Sequence, residues 1–300
     1  MRRIFVILIL GMSLSLLPAT PREPAWSDLP SELSAVLEAK AAGYSRRALG
    51  FTCLERRRQA RYSNNVAASE KVTEYDYLLE RDPDDPLGYR AVRLRPGSKS
   101  TKERNVDGVI PEPFFWSQIF DPAIRSTLRF RVGQWHTTPW KLAIPVEWTS
   151  SSPVFEGRRI GEWSGRIDVE YRTGNLVRVI AWPSLQEERI RAEFERYLTA
   201  FRFLGIGLAP PPIGLEVEVQ FDYEHEGFSY PTRVEVRRFR QVGHGEDDRV
   251  TVSKQVIEYD HYKFFGTSVK DEIPPLLYNA PHDADALTRD AATSQPESGS

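Results

Sequence analysis

Between residues 128 and 182, apolar side chains recur at every second position. Leu128, Phe130 and Val132 alternate with Arg129 and Arg131. Trp140, Leu142, Ile144, Val146 and Trp148 share one parity, opposite Lys141 and Glu147. Trp163, Ile167, Val169 and Tyr171 oppose Arg166, Asp168, Glu170 and Arg172. After the Thr173-Gly174-Asn175 turn, Leu176 to Trp182 returns as the second arm of a hairpin. A period of two places one parity on one face of a strand, so the pattern predicts strands with one dry and one wet side. Pro145 has no N–H to give a ladder, which predicts a sheet edge or a bulge there.

The period then changes. Ile190, Phe194, Tyr197, Leu198, Phe201 and Leu204 fall on one stripe at helical spacing and predict a helix over about 185–204. Ser184 and Glu187 have the spacing of a capping box, and Glu187–Arg191 is an i,i+4 pair in the favourable order. Gly205 and the Pro210-Pro211-Pro212 run end the segment. Strict alternation resumes at Leu215, Val217, Val219, Phe221 and Tyr223. Past the Glu226-Gly227 turn it continues through Phe228, Tyr230, Val234 and Val236. In the last strand, 249–265, parity slips between Val252 and Ile257, which predicts a bulge near Lys254 to Val256. Upstream, Leu33, Val36, Leu37 and Ala41 predict a helix over 30–42 closed by Gly43. Tyr75, Tyr77 and Leu79 mark a strand, and Asp82 to Pro86 a turn into another strand. Segment 112–126 is aromatic and reads as partly helical.

Consecutive strands joined by short turns pair antiparallel. The order predicts one mostly β (α+β) domain over 28–278. It is a curved antiparallel sheet or incomplete barrel, with the long helix at about 185–204 packed on its concave face.

The two ends read differently. MRRIFVILILGMSLSLLPAT has a basic start, an apolar run and a small-residue cleavage site, the layout of a signal peptide over 1–19. An uncleaved anchor is the alternative. Residues 20–27 read as a linker and 279–300 as a disordered tail. No second apolar run has spanning length, so no transmembrane segment is expected after cleavage. The expected location is exported, periplasmic or extracellular.

Composition sharpens this. The chain is 40% hydrophobic, 11% aromatic and 27% charged, with net charge −2 and one cysteine. The aromatic content excludes a wholly disordered chain, the charge argues against a nucleic-acid partner, and one thiol excludes an internal disulfide. Cys53 reads either as a small buried hydrophobe or as half of an intermolecular disulfide.

Motifs for chemistry are sparse. The sequence has no phosphate-binding glycine loop, no H-E-x-x-H and no G-x-S-x-G, so no catalytic residue, metal ligand or cofactor is assigned. His225 lies between Glu224 and Glu226, and His261 follows Glu258 and Asp260. A secreted hydrolase built on His225 or His261 with these carboxylates is one alternative. Arg56, Arg57, Arg58 and Arg61 form a basic run suited to an acidic partner or lipid head groups, and a structural role in an envelope assembly is another alternative. The leading expectation is a non-enzymatic module holding a hydrophobic small molecule, or an envelope partner, in the concave face. Trp140, Trp148 and Trp163 from the strands, with Phe194, Tyr197 and Phe201 from the helix, are the candidate lining.

Three stretches, FTCLERRRQ, GRIDVEYRTGNLVRV and FDYEHEGFSYPTRVEV, carry a resemblance over Phe51 to Phe265 to secreted bacterial proteins of uncharacterised role. The middle stretch is similar to strands in proteins of the outer-membrane lipoprotein carrier type. That resemblance implies an incomplete antiparallel barrel whose apolar concavity is plugged by helices, and it suggests a carrier activity. It carries over no site residue.

Overall fold

The computed structural model describes residues 29–48, 50–63, 66–82, 84, 89–95, 113–138, 141–150, 163–184, 186–204, 213–243 and 248–265. The proposed signal peptide, linker and tail lie outside the described residues, as does Trp140.

Thirteen strands form among them. They are β1 Phe51–Ser63, β2 Val66–Arg81, β3 Tyr89–Leu94, β4 Leu128–Val132, β5 His136–Thr137, β6 Leu142–Ser150, β7 Trp163–Glu170, β8 Leu176–Pro183, β9 Ile213–Gln220, β10 Tyr223–His225, β11 Phe228–Tyr230, β12 Arg233–Gln241 and β13 Arg249–Phe264. Eleven make one open sheet in the order β3-β2-β1-β13-β12-β9-β8-β7-β6-β4, with β5 also on β6. β10 and β11 form a separate hairpin. Every pairing is antiparallel. The Glu226-Gly227 turn has positive φ at both residues, the geometry that lets a two-residue connection follow strand twist.

Pro145 sits where β6 changes partner, from Val132 opposite Val146 to His136 opposite Ala143. Its carbonyl accepts from the Gly133 N–H at 2.9 Å, and no donor is required of it. The last strand is irregular at two places other than the expected one. One register step falls across Val252, opposite Arg238 and Phe239. The other falls near His261, whose φ is +56°, opposite the Thr52–Leu54 step of β1.

One face of the sheet carries a dry band that reaches from edge to edge. Tyr89, Tyr77, Phe51, Val234, Val217, Val179, Ile167, Trp148 and Leu128 all belong to one buried cluster. A layer of short helices covers it: α1 Ser31–Gly43, the π-helical turn Tyr44–Ala48, the 3-10 turn Pro113–Gln118 and α2 Pro122–Arg125. α1 ends at Gly43 without a left-handed cap, because the backbone stays right-handed at Tyr44 and runs into the π turn. Phe114 packs on Phe51 of β1 at 5.0 Å, while Trp116, two residues on, packs on Trp148 of β6 at 5.8 Å. Six strand spacings separate β1 from β6, about 29 Å in a flat sheet. Residues two apart cannot bridge that between upright side chains, so the sheet curls around the helical layer.

The long helix, α3 Gln186–Leu204, goes elsewhere, which corrects the expected placement on the concave face. Gln186 Oε1 accepts from the Leu215 N–H at 2.5 Å, tying α3 to the start of β9. A Cβ at Gly214 would meet Ile190 Cδ1 at 2.9 Å and the Phe239 ring, so glycine makes room for the helix there. Gly214 and Phe239 pair with each other on the parity of Glu216 and Arg237, the outer face. An apolar stripe says that a helix hides one side, not which surface it hides against.

That outer face is otherwise charged and balanced. Arg56–Glu74 (2.9 Å), Arg58–Glu70 (3.1 Å), Lys254–Glu235 (2.7 Å), Arg237–Glu216 (2.7 Å) and Arg178–Glu218 (2.8 Å) pair across neighbouring strands. Such pairs contribute little stability each but keep the wet side soluble and unlike the dry one.

Candidate functional site

The inner face divides into three zones. Toward its β4 edge Trp116 meets Trp148 of β6 and Trp163 of β7, each at 5.8 Å, and all three are buried. Two of the expected ligand residues, Trp148 and Trp163, therefore converge, and the third member, Trp116, comes from the helical layer. Only its place in an aromatic run, Phe114-Phe115-Trp116, pointed to it in the sequence. The indole N–H groups of Trp116 and Trp148 are buried with no hydrogen-bond partner among the described residues. Phe194 and Tyr197 do not join this cluster. They stack on each other at 6.4 Å along α3, outside the main core, and the Phe201 side chain lies outside the described residues. The expected lining is thus split between two surfaces.

The second zone is the rim, where the helical layer is fastened. Lys40 of α1 is buried. It donates to Asn175 Oδ1 and to the Gly227 carbonyl, both at 2.8 Å, and lies 5.5 Å from the Phe228 ring centre. The Tyr44 hydroxyl donates to the Ser229 carbonyl. One layer is therefore pinned to two hairpin turns by side chains rather than by a backbone ladder. Burial pushes the Lys40 amine down from the ordinary lysine value near 10.5 to about 8, while Glu170 and Glu224 pull the other way. Between these two values the unfolded chain binds more protons than the folded one, so this group makes stability rise with pH from about 8 to 10.5. The wild type should gain about 3 kcal/mol on a Lys40→Met variant across that window. Urea unfolding at each pH checks it, and a pH-independent difference contradicts it. Buried Cys53 and Tyr44 act oppositely, their groups being pushed up by burial, but they cancel between the two proteins.

The third zone is ionic. Glu55 is 0% exposed, Arg93 3% and Arg57 8%. Arg93 Nε lies 2.9 and 3.0 Å from the two Glu55 oxygens, and Arg57 Nε lies 2.6 Å from one. The guanidinium groups also cover Tyr77 and Tyr75, at 4.8 and 5.3 Å. The basic run read from the sequence is therefore not one patch. Arg56 and Arg58 belong to the outer face and its ion pairs, Arg57 is buried inside, and Arg61 is exposed on the inner parity. Applying strand alternation to FTCLERRRQ would have shown it, since Phe51, Cys53, Glu55 and Arg57 share a parity.

His225 and His261 do not form a common site, and His261 keeps only its neighbour Asp260 among the acids named beside it. The His225 ring stacks on Phe264 at 3.9 Å, and His261 is exposed, 2.6 Å from Asp260. Among the described residues no cluster of three His, Cys, Asp or Glu side chains could hold a metal, and no helix is long and apolar enough to cross a membrane.

No family model and no curated protein matches the chain. Among solved structures it is similar to a LolA superfamily protein from Nitrosomonas europaea, with 10% identity, 79% of this chain and 94% of that one covered, and a TM-score of 0.37. It is also similar to a putative outer membrane lipoprotein-sorting protein domain from Vibrio parahaemolyticus, with 6% identity, 80% and 95% coverage and a TM-score of 0.39. A chain of the Pseudomonas aeruginosa MucA/MucB complex follows, with 10% identity, 79% and 100% coverage and a TM-score of 0.24. The lipoprotein-carrier type named from the sequence is the type the first two represent.

Proposed function

We propose that the protein is an exported, non-enzymatic module that holds a hydrophobic ligand, such as the acyl chain of a lipid or of a lipoprotein-like partner, between the inner face of its sheet and the helical layer. One observation carries the reading: the indole N–H groups of Trp116 and Trp148, whose rings touch, are buried on an apolar face without partners among the described residues. Buried indole N–H groups ordinarily find an acceptor, and a ligand with an apolar body and a carbonyl or ester oxygen supplies one. The helical layer fits the role, because it rests on apolar contacts and a few side-chain fastenings that can release without breaking the ladder. The ligand then takes the place of helix side chains on the dry face, which the layer fills in this structure.

The test is the exported protein purified without detergent. Native mass spectrometry should find a co-purified lipid, and a solvatochromic hydrophobic dye should bind and quench tryptophan emission, with Trp116→Phe weakening both. A protein that carries no lipid and leaves the dye in water disproves the reading.

A further inference from the structure

We infer that the ligand is an anionic amphiphile, whose charged head rests on a basic shelf where the inner face emerges from the helical layer. The inference rests on the binding reading above and adds the class of head group. Strand register places the shelf and the apolar floor on one transverse row. Trp148 pairs with Gly165, Gly165 with Ala181, Ala181 with Val217 and Val217 with Val236. The row then passes to Gln255, to Gln59 and to Lys71 on β2. Along this line the buried floor runs from Trp148 to Val236, Gln255 is half-buried, and Gln59 and Lys71 are exposed. A hollow lined in part by Gln59, Val236, Arg238 and Ser253 lies at the crossing.

Charge on the shelf is one-sided. The next row joins Arg238, Ser253, Arg61 and Ser69. Arg61, Lys71 and Arg238 make no ion pair among the described residues, whereas Arg56, Arg58 and Arg237 on the other face each have a carboxylate. Three unpaired cations beside an apolar trough complement a molecule with a phosphate or carboxylate at one end and a hydrocarbon chain at the other. Free phosphate has the same head-group chemistry but no use for the trough.

The test titrates the purified protein with lysophosphatidylglycerol, with lysophosphatidylcholine of the same chain, and with inorganic phosphate, at low and at 0.5 M salt. We expect about a tenfold preference for the anionic lysolipid, the combined effect of three solvent-screened charge contacts. High salt should erase it. The triple variant Arg61→Gln, Lys71→Gln, Arg238→Gln should lose the preference and keep binding of the zwitterionic lysolipid. An Arg56→Gln, Arg58→Gln variant, altered on the outer face of the same strand, should keep the preference. Equal binding of both lysolipids overturns the head-group assignment and leaves the apolar-face reading standing. Binding of neither lysolipid overturns the apolar-face reading, and the head-group assignment falls with it. Phosphate displacing the anionic lysolipid at comparable concentration overturns the amphiphile and makes the shelf a free-phosphate site.

Discussion

Replacing Glu55 by alanine should cost about 3–5 kcal/mol, because it removes the carboxylate that two buried guanidinium groups share. Both Arg57 and Arg93 bond to this one carboxylate, and all three side chains are buried. The effect is therefore unlike that of the outer-face pairs, where Glu74→Ala or Glu70→Ala should change stability by under about 1 kcal/mol. Urea denaturation followed by circular dichroism compares them directly. A Glu55→Ala loss as small as the outer-face losses would mean that solvent reaches the cluster. A complementary variant with Glu55→Leu, Arg57→Met and Arg93→Met should recover most of the loss, since apolar residues of similar volume need no compensation.

Trp116→Ala should be comparably severe, about 3–5 kcal/mol, by removal of a buried indole and creation of a cavity among Phe115, Trp148 and Trp163. It has a second readout. The hole lies on the dry face, so a hydrophobic dye should bind the variant more strongly than the wild type under native conditions, provided the fold is retained at low temperature. Destabilisation below about 1 kcal/mol would show that the helical layer contributes little packing at this point.

Much of this could be read from the chain because alternation is a local property. The inward parities of residues 128–148, 163–182 and 215–236 hold in Phe130, Val146, Trp148, Ile167, Val169, Val217 and Val234, all buried. The extent of the long helix was equally plain, but its docking surface was not. That depends on Gly214 and Phe239, which share the outer parity of Glu216 and Arg237 and meet only once β9 and β12 are side by side. The ionic cluster lay beyond local reasoning, since Arg93 reaches Glu55 only after β3, β2 and β1 are side by side. The tryptophan cluster was half visible. Strand spacing gave Trp148 and Trp163, whereas Trp116 sits in a 3-10 turn too short to have a period.

The strand order has a kinetic side. β13 is the last strand among the described residues, yet it lies inside the sheet, between β1 and β12. Phe51 has its ladder partner at Phe264. Until residues 249–264 arrive, the β1–β3 ribbon and the strands from β4 to β12 share no edge, and the helical layer has no closed surface to settle on. Closure over such sequence separation is slow, and folding dominated by non-local pairing falls in the millisecond-to-second range. The sheet is thereby kept open until β13 is delivered, and a stop a few residues short of β13 would leave two half-sheets with bare edges.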